Sequence, residues 1–290
     1  MLIFPALCFG QSYSEYFDDG VKKGNLKDYK RAIADYNKAI ELNPDDADSY
    51  NNRGQLKAQL KDYKGAIADF NMAVVLKKNY VLGYFNRALS KYHLKDYKGA
   101  ISDYNKAIEL NPDYAEAYFN RGNSKDELKD YYGAIADFTK AISLNPDYAK
   151  AYNNRGISKK NLKDYKGAIA DYTIAIELKP DFASAYNNRG ISKKNLYDYD
   201  GAIADYTKAI ELKPDFATAY NNRGASEVNL EYYIGAIADY TKAIELKPDY
   251  ASAYHNRGVS KYHLNQDYCP DFKKACELGG DCEHYNTFCR

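Results

Sequence analysis

Residues Ala149–Phe182 read AKAYNNRGISKKNLKDYKGAIADYTIAIELKPDF, and nearly the same sentence stands on either side of them. Arg53, Arg87, Arg121, Arg155, Arg189, Arg223 and Arg257 follow one another at intervals of 34 residues without a slip. A fixed period of this length marks a stacked array, in which each unit buries its apolar face against its neighbours instead of in one central core. A residue that recurs with the period belongs first to the scaffold, whereas a catalytic site is singular.

Within the unit, Ala149, Tyr152, Gly156, Lys159 and Leu162 recur at helical spacing and form one stripe. Asp147, after Pro146, is expected to cap this first helix near Tyr148, because a carboxylate accepts free backbone N–H groups. Asn161-Leu162-Lys163 leads into a turn, and Asp164 can cap a second helix. Its apolar face is Tyr165, Ala168, Ile169, Tyr172, Ala175, Ile176 and Leu178, and Lys179-Pro180 stops it. Gly156 and Ala168 allow close approach, and the column Tyr36, Phe70, Tyr104, Phe138, Tyr172, Tyr206 and Tyr240 fills the space between hairpins. Mid-helix glycine costs about 1 kcal/mol relative to alanine, so its recurrence implies a packing need.

The order Tyr152, Gly156, Leu162, Tyr165, Ala168, Tyr172, Ala175 and Pro180 resembles the tetratricopeptide repeat (TPR), from Tyr13 to about Leu278. The resemblance implies an all-α, right-handed α-solenoid of antiparallel helix pairs, about eight units of 34 residues. Seven complete units are read at 13–46, 47–80, 81–114, 115–148, 149–182, 183–216 and 217–250, with a degenerate eighth unit and a cysteine-rich cap at 251–290. The pattern departs locally. Asp19 replaces the first Arg, Tyr232 a capping Asp, and Lys77-Lys78 the proline step.

The resemblance also implies the site. In the family the first helices line a concave groove, and residues near the Asn column bind peptides. Carried over, the groove holds Leu82, Phe85, Asn86, Leu89, Tyr92, Phe119 and Asn120 as an apolar patch, with Glu116, Asp126 and Glu127 beside it. Asn153, Asn154, Asn187, Asn188, Lys160 and Lys194 form an amide-rich, basic half. Two readings stand for the Asn-Arg-Gly triplet. The Asn amides serve a bound peptide, or Asn and Arg stitch neighbouring hairpins. Arg155 and its equivalents are expected to pair with Asp137 or Asp171. A chaperone-tail clamp needs several basic groove residues, and only Lys150 qualifies.

Composition bounds the rest. The 41 Lys and Arg nearly balance 40 Asp and Glu, which disfavours nucleic acid as a partner. There is no phosphate-loop, nucleophile-elbow or H-E-x-x-H motif, and no cofactor or small-molecule substrate is expected. His93, His255 and His263 read as tolerant surface positions. The chain is therefore expected to be a non-enzymatic module binding a protein or extended peptide; a self-assembling scaffold of the cell envelope is the alternative. Met1–Gly10 (MLIFPALCFG) resembles a signal peptide within 1–11, so export is expected, with cytoplasmic residence if it is not a signal. Cys8 could be a lipid-anchor site, but Leu7 is a poor fit for one. Cys269, Cys276, Cys282 and Cys289 read as disulfide candidates, with no metal expected. If the chain folds back at Gly279-Gly280, Cys276 meets Cys282 and Cys269 meets Cys289, though four cysteines admit other pairings and spacing does not choose.

Overall fold

The computed structural model describes residues 11–289, so the Met1–Gly10 reading lies outside the described residues. Those residues form seventeen α-helices, the all-α repeat solenoid expected from the period. None of these helices is long and apolar enough to cross a membrane. The chain divides at Pro146/Asp147 into two compact units.

The first unit carries four hairpins. Helix α1 (Tyr13–Asn25) pairs with α2 (Tyr29–Leu42), α3 (Ala47–Gln59) with α4 (Tyr63–Leu76), α5 (Val81–His93) with α6 (Tyr97–Leu110), and α7 (Ala115–Glu127) with α8 (Tyr131–Leu144). The second unit pairs α9 (Ala149–Asn161) with α10 (Tyr165–Leu178), α11 (Ala183–Asn195) with α12 (Tyr199–Leu212), and α13 (Ala217–Asn229) with α14 (Tyr233–Leu246). It ends on α15 (Ala251–His263), α16 (Cys269–Glu277) and the short α17 (Glu283–Phe288).

In the first six hairpins one aspartate makes the turn. The N–H of Asp164 donates to the Lys159 carbonyl and that of Lys163 to the Lys160 carbonyl, which closes α9 in a Schellman arrangement. The Asp164 carboxylate then accepts from the N–H of Gly167 at 2.9 Å and opens α10. The turn places Lys163 at φ 63°, and Lys27, Lys61, Lys95 and Lys129 adopt the same left-handed conformation. Glycine is the usual residue there, which is why the sequence marks a turn at this point but not its geometry. Tyr232, in place of the aspartate, gives α14 no side-chain cap.

Helix α9 begins differently from the expectation. Tyr148, not Asp147, is the N-cap residue of α9, and its own side chain makes no capping bond. The turn after Pro146 carries the chain one residue further before helical geometry starts, and Asp147 offers its carbonyl to the Ala149 N–H at 2.9 Å. Leu178 is 38% exposed rather than core, because it ends the last turn of α10.

The core is built from the small and aromatic columns. Ala168, Tyr172, Ala175 and Ala185 are fully buried in the second unit, as are Ala100, Tyr104, Ala107 and Ala117 in the first. Gly156 lies directly under the Tyr172 ring. In the cap, Phe272 takes the aromatic place and Gly258 lies under it. Cys269 is paired with Cys289 and Cys276 with Cys282, joining α17 to both ends of α16.

Candidate functional site

The recurring arginine is a clamp within and between hairpins. Arg189 donates from Nε and Nη2 to the two carboxylate oxygens of Asp205 at 3.0 and 2.7 Å, the bidentate geometry guanidinium favours. Its Nη1 donates to Thr173 Oγ1 of the preceding hairpin at 3.1 Å. Lys193 adds a second cation on Asp205 at 2.8 Å. The same group occurs in the first unit, where Arg53 holds Asp69 and Asn37, and Lys57 joins Asp69. Arg155–Asp171 and Arg121–Asp137 pair as the sequence led us to expect. Each of these aspartates is buried, so the clamp fixes the spacing of the first helices.

The clamp of the seventh unit is defective. Glu227 stands where Lys57, Lys91, Lys125, Lys159 and Lys193 stand in other units. Its Oε2 is buried without a hydrogen-bond partner among the described residues. Burial, then the charge of Asp239, pushes its carboxyl from 4.5 up to about 7, against the pull of Arg223. The folded state therefore binds a proton that the unfolded chain has released between those values. Stability from this group is present at acid pH and is lost as pH rises through about 7. Replacing Glu227→Lys supplies the missing partner of Asp239. We expect a gain on the order of 1 kcal/mol, allowing for solvent screening of a half-exposed group. Urea unfolding should show a larger gain at pH 8 than at pH 5, and Glu227→Gln should flatten the pH dependence.

A ladder of amides joins the first helices. Asn86 Nδ2 donates to Asn51 Oδ1 at 3.0 Å, Asn188 to Asn153 at 3.2 Å, Asn222 to Asn187 at 3.0 Å and Asn256 to Asn221 at 3.3 Å. The stitching reading of the triplet thus describes these amide donors. Asn153 and Asn187, expected in the groove, are only 5% and 7% exposed, because this column turns toward the adjacent first helix. Where Phe85 replaces the acceptor, Asn120 Nδ2 donates instead to the Glu116 carbonyl at 2.8 Å.

The expected apolar patch is largely packed. Phe85 tilts on Tyr104 and Tyr114 with centroids 5.7 and 4.9 Å away, and Phe119 on Phe138 at 5.8 Å. Tyr92 lies edge-on to Tyr97, and burial, then Glu127, pushes its hydroxyl up to about 12. Leu82 is exposed at 47%, and Leu89 is half-buried. Asn154, Lys160 and Lys194 are also half-buried on the second unit's first helices, and burial holds the Lys194 ammonium below its ordinary value.

Open space on the first-helix face of the first unit lies elsewhere. A cleft of 480 Å³ opens between α3 and α5, lined by Gln55, Gln59, Tyr63, Asn86, Leu89 and His93 among others. A second cleft of 320 Å³ lies between α1 and α3, and Gln55 and Gln59 line it too. His93 stacks on Tyr63 at 4.7 Å and 11°, which forms one wall. Of the expected site residues, Asn86 and Leu89 fall in the first cleft. Gln55, Gln59 and the Tyr63–His93 wall escape a sequence reading. Their one signal is that Gln55 and Gln59 break the repeat, at positions where other units carry Ile157 or Ile191 and Asn161 or Asn195.

Family models described as tetratricopeptide repeat match residues 47–80, 115–148 and 149–182, and one described as TPR repeat matches 25–61, 88–125, 198–227 and 231–265. No curated protein matches the chain significantly. Among solved structures, a tetratricopeptide repeat protein from Parabacteroides merdae is similar at 22% identity and a TM-score of 0.66, covering 87% of this chain and 99% of that one. MamA is similar at 27% identity and a TM-score of 0.54, covering 57% of this chain and 96% of that one. YrrB, a TPR protein with an unusual peptide-binding site, is similar at 23% identity and a TM-score of 0.55, covering 63% and 95%. With its period, its hairpins and these matches together, the chain belongs to the tetratricopeptide repeat family.

Proposed function

We propose that this chain is a non-enzymatic protein-interaction module that takes an extended peptide segment into the cleft between α3 and α5. The observation that carries the reading is the lining of that cleft. Gln55 and Gln59 offer paired donors and acceptors to a peptide backbone, Leu89 offers an apolar seat, and the stacked Tyr63–His93 pair offers a rigid wall. Recognition of an extended chain needs this combination, with amides giving register and a buried apolar anchor giving affinity. The family lends general support, since its fold serves protein interaction, and YrrB is a relative with a peptide-binding site. At that identity the likeness is one of fold, so the cleft residues bear the argument.

Export belongs to the same proposal. Paired cysteines persist in oxidising compartments, and the two pairs of the cap support that location.

The test is selection of binders from a displayed random-peptide library, followed by fluorescence anisotropy on the selected peptides. Leu89→Asp with Gln59→Ala is expected to weaken binding at least roughly tenfold, the loss of one anchor, with helicity by circular dichroism unchanged. Phe85→Ala is expected to lower stability rather than affinity alone, since that ring is packed on Tyr104 and Tyr114. Peptides whose binding ignores the cleft variant, or that crosslink to other faces, would sink the reading.

A further inference from the structure

The amide ladder has a consequence at the end of the array. In Asn153, Asn187 and Asn221 the side-chain carbonyl accepts from the next repeat. After α15 the chain runs into the capping segment of α16 and α17, and at the same position α15 carries His255. What faces His255 is the capping segment. The rings of His255 and His284 lie edge-to-face with centroids 4.9 Å apart. One ligand atom from each of His255, Asp281 and His284 comes within 4.8 Å of the other two.

We propose that His255, Asp281 and His284 form a binding site for a zinc-class divalent cation. Both imidazole Nδ1 atoms are buried with no hydrogen-bond partner among the described residues. Leaving two ring nitrogens unpaired in an apolar setting is costly, and the setting is apolar. Phe272 lies against both rings, and His284 lines a 150 Å³ cavity with Val259, Tyr262, Phe272, Phe288 and His263. Asp281 Oδ1 accepts from the Glu283 N–H at 2.9 Å, which orients the carboxylate and leaves Oδ2 to serve as ligand. The Cys276–Cys282 pair adjoins Asp281 and ties the loop to α16. Two imidazoles and one carboxylate are a borderline-soft donor set, suited to zinc and to its neighbours nickel and copper. Zinc bound at about 2.0–2.1 Å would draw the ligand atoms together by less than about 1 Å each. Three protein ligands leave a fourth position for water or a side chain from another molecule.

The test uses the full oxidised chain, stripped with chelator and alkylated so that no thiol is free. Competition with a chromophoric chelator is expected to give one zinc per chain. His255→Gln and His284→Gln are each expected to weaken it by roughly 100-fold or more, since even an outer-shell partner is worth roughly 10–100-fold. The wild-type chain gives a second readout that needs no variant. The chain has four histidines; His93 stacks on Tyr63 in the first unit, whereas His263 stacks on Tyr233 and borders the cavity that His284 lines. Zinc should shift the imidazole resonances of His255 and His284 most and leave that of His93 in place. No zinc uptake by the oxidised chain, equal shifts in all four rings, or uptake that appears only after reduction and so assigns the metal to the thiols, would each overturn the site.

Discussion

Asp205→Ala is expected to destabilise the second unit by about 3–5 kcal/mol, the cost of removing one partner from a buried ion pair. Asp205 is 4% exposed and is the shared anion of Arg189 and Lys193. Without it, two cations remain beside the hydrophobic column with no carboxylate between them. The loss should also reach the preceding hairpin, because Arg189 is held in place for its bond to Thr173. Hydrogen exchange, read helix by helix, should show the protection of α10, α11 and α12 falling together while α15 and α16 change little. Most of the cost comes from the stranded cations. The same substitution in an Arg189→Met, Lys193→Met background should therefore cost much less than it does alone. A loss below about 1 kcal/mol in the wild-type background, as for an exposed pair, would show that solvent screens this clamp.

Gly156→Val is expected to cost about 3 kcal/mol or more, at the upper end for forced overpacking. A Cβ on Gly156 would lie 2.7 Å from Tyr172 Cε1 and 3.0 Å from Cδ1, closer than carbon atoms tolerate. Tyr172 is fully buried, so its ring has nowhere to retreat. Valine would add two methyl groups beyond that first clash. Gly156→Ala is the informative control. Alanine regains about 1 kcal/mol of helix propensity, and Ala88 occupies the equivalent place against Tyr104 in the first unit. We expect Gly156→Ala to be destabilising, since its Cβ meets the same Tyr172 carbons, but less so than Gly156→Val because helix propensity offsets part of the contact; Gly156→Val should melt α9 and α10 at the lower urea concentration. If valine were tolerated like alanine, the recurrent glycine would owe its place to something other than ring contact.

Much of the fold was legible before any coordinates. The period, the small and aromatic columns, the Asp164 cap and the pairing of Arg155 with Asp137 or Asp171 follow from spacing, because a helix repeats its faces at fixed intervals and an array repeats its helices; the structure decides for Asp171. Less of the site was legible. Phe85 and Phe119 read as a groove patch, and each also rests on a ring of its own hairpin. Asn153 and Asn187 read as groove amides, yet they accept from the next repeat. His255 read as a tolerant surface position, yet it meets His284 from the cap.

The boundary between the two kinds of knowledge is physical. Sequence alone determined which residues share a helix face and recur from unit to unit, since those relations are local and periodic. Only the tertiary structure decided which of two adjacent faces turns toward a neighbouring helix and which stays open. It also decided that Gln55 and Gln59 line clefts, and that residues as far apart as His255 and Asp281 meet. Those outcomes depend on how closely one hairpin lies on the next, a distance set jointly by ring size, glycine and clamp in both partners.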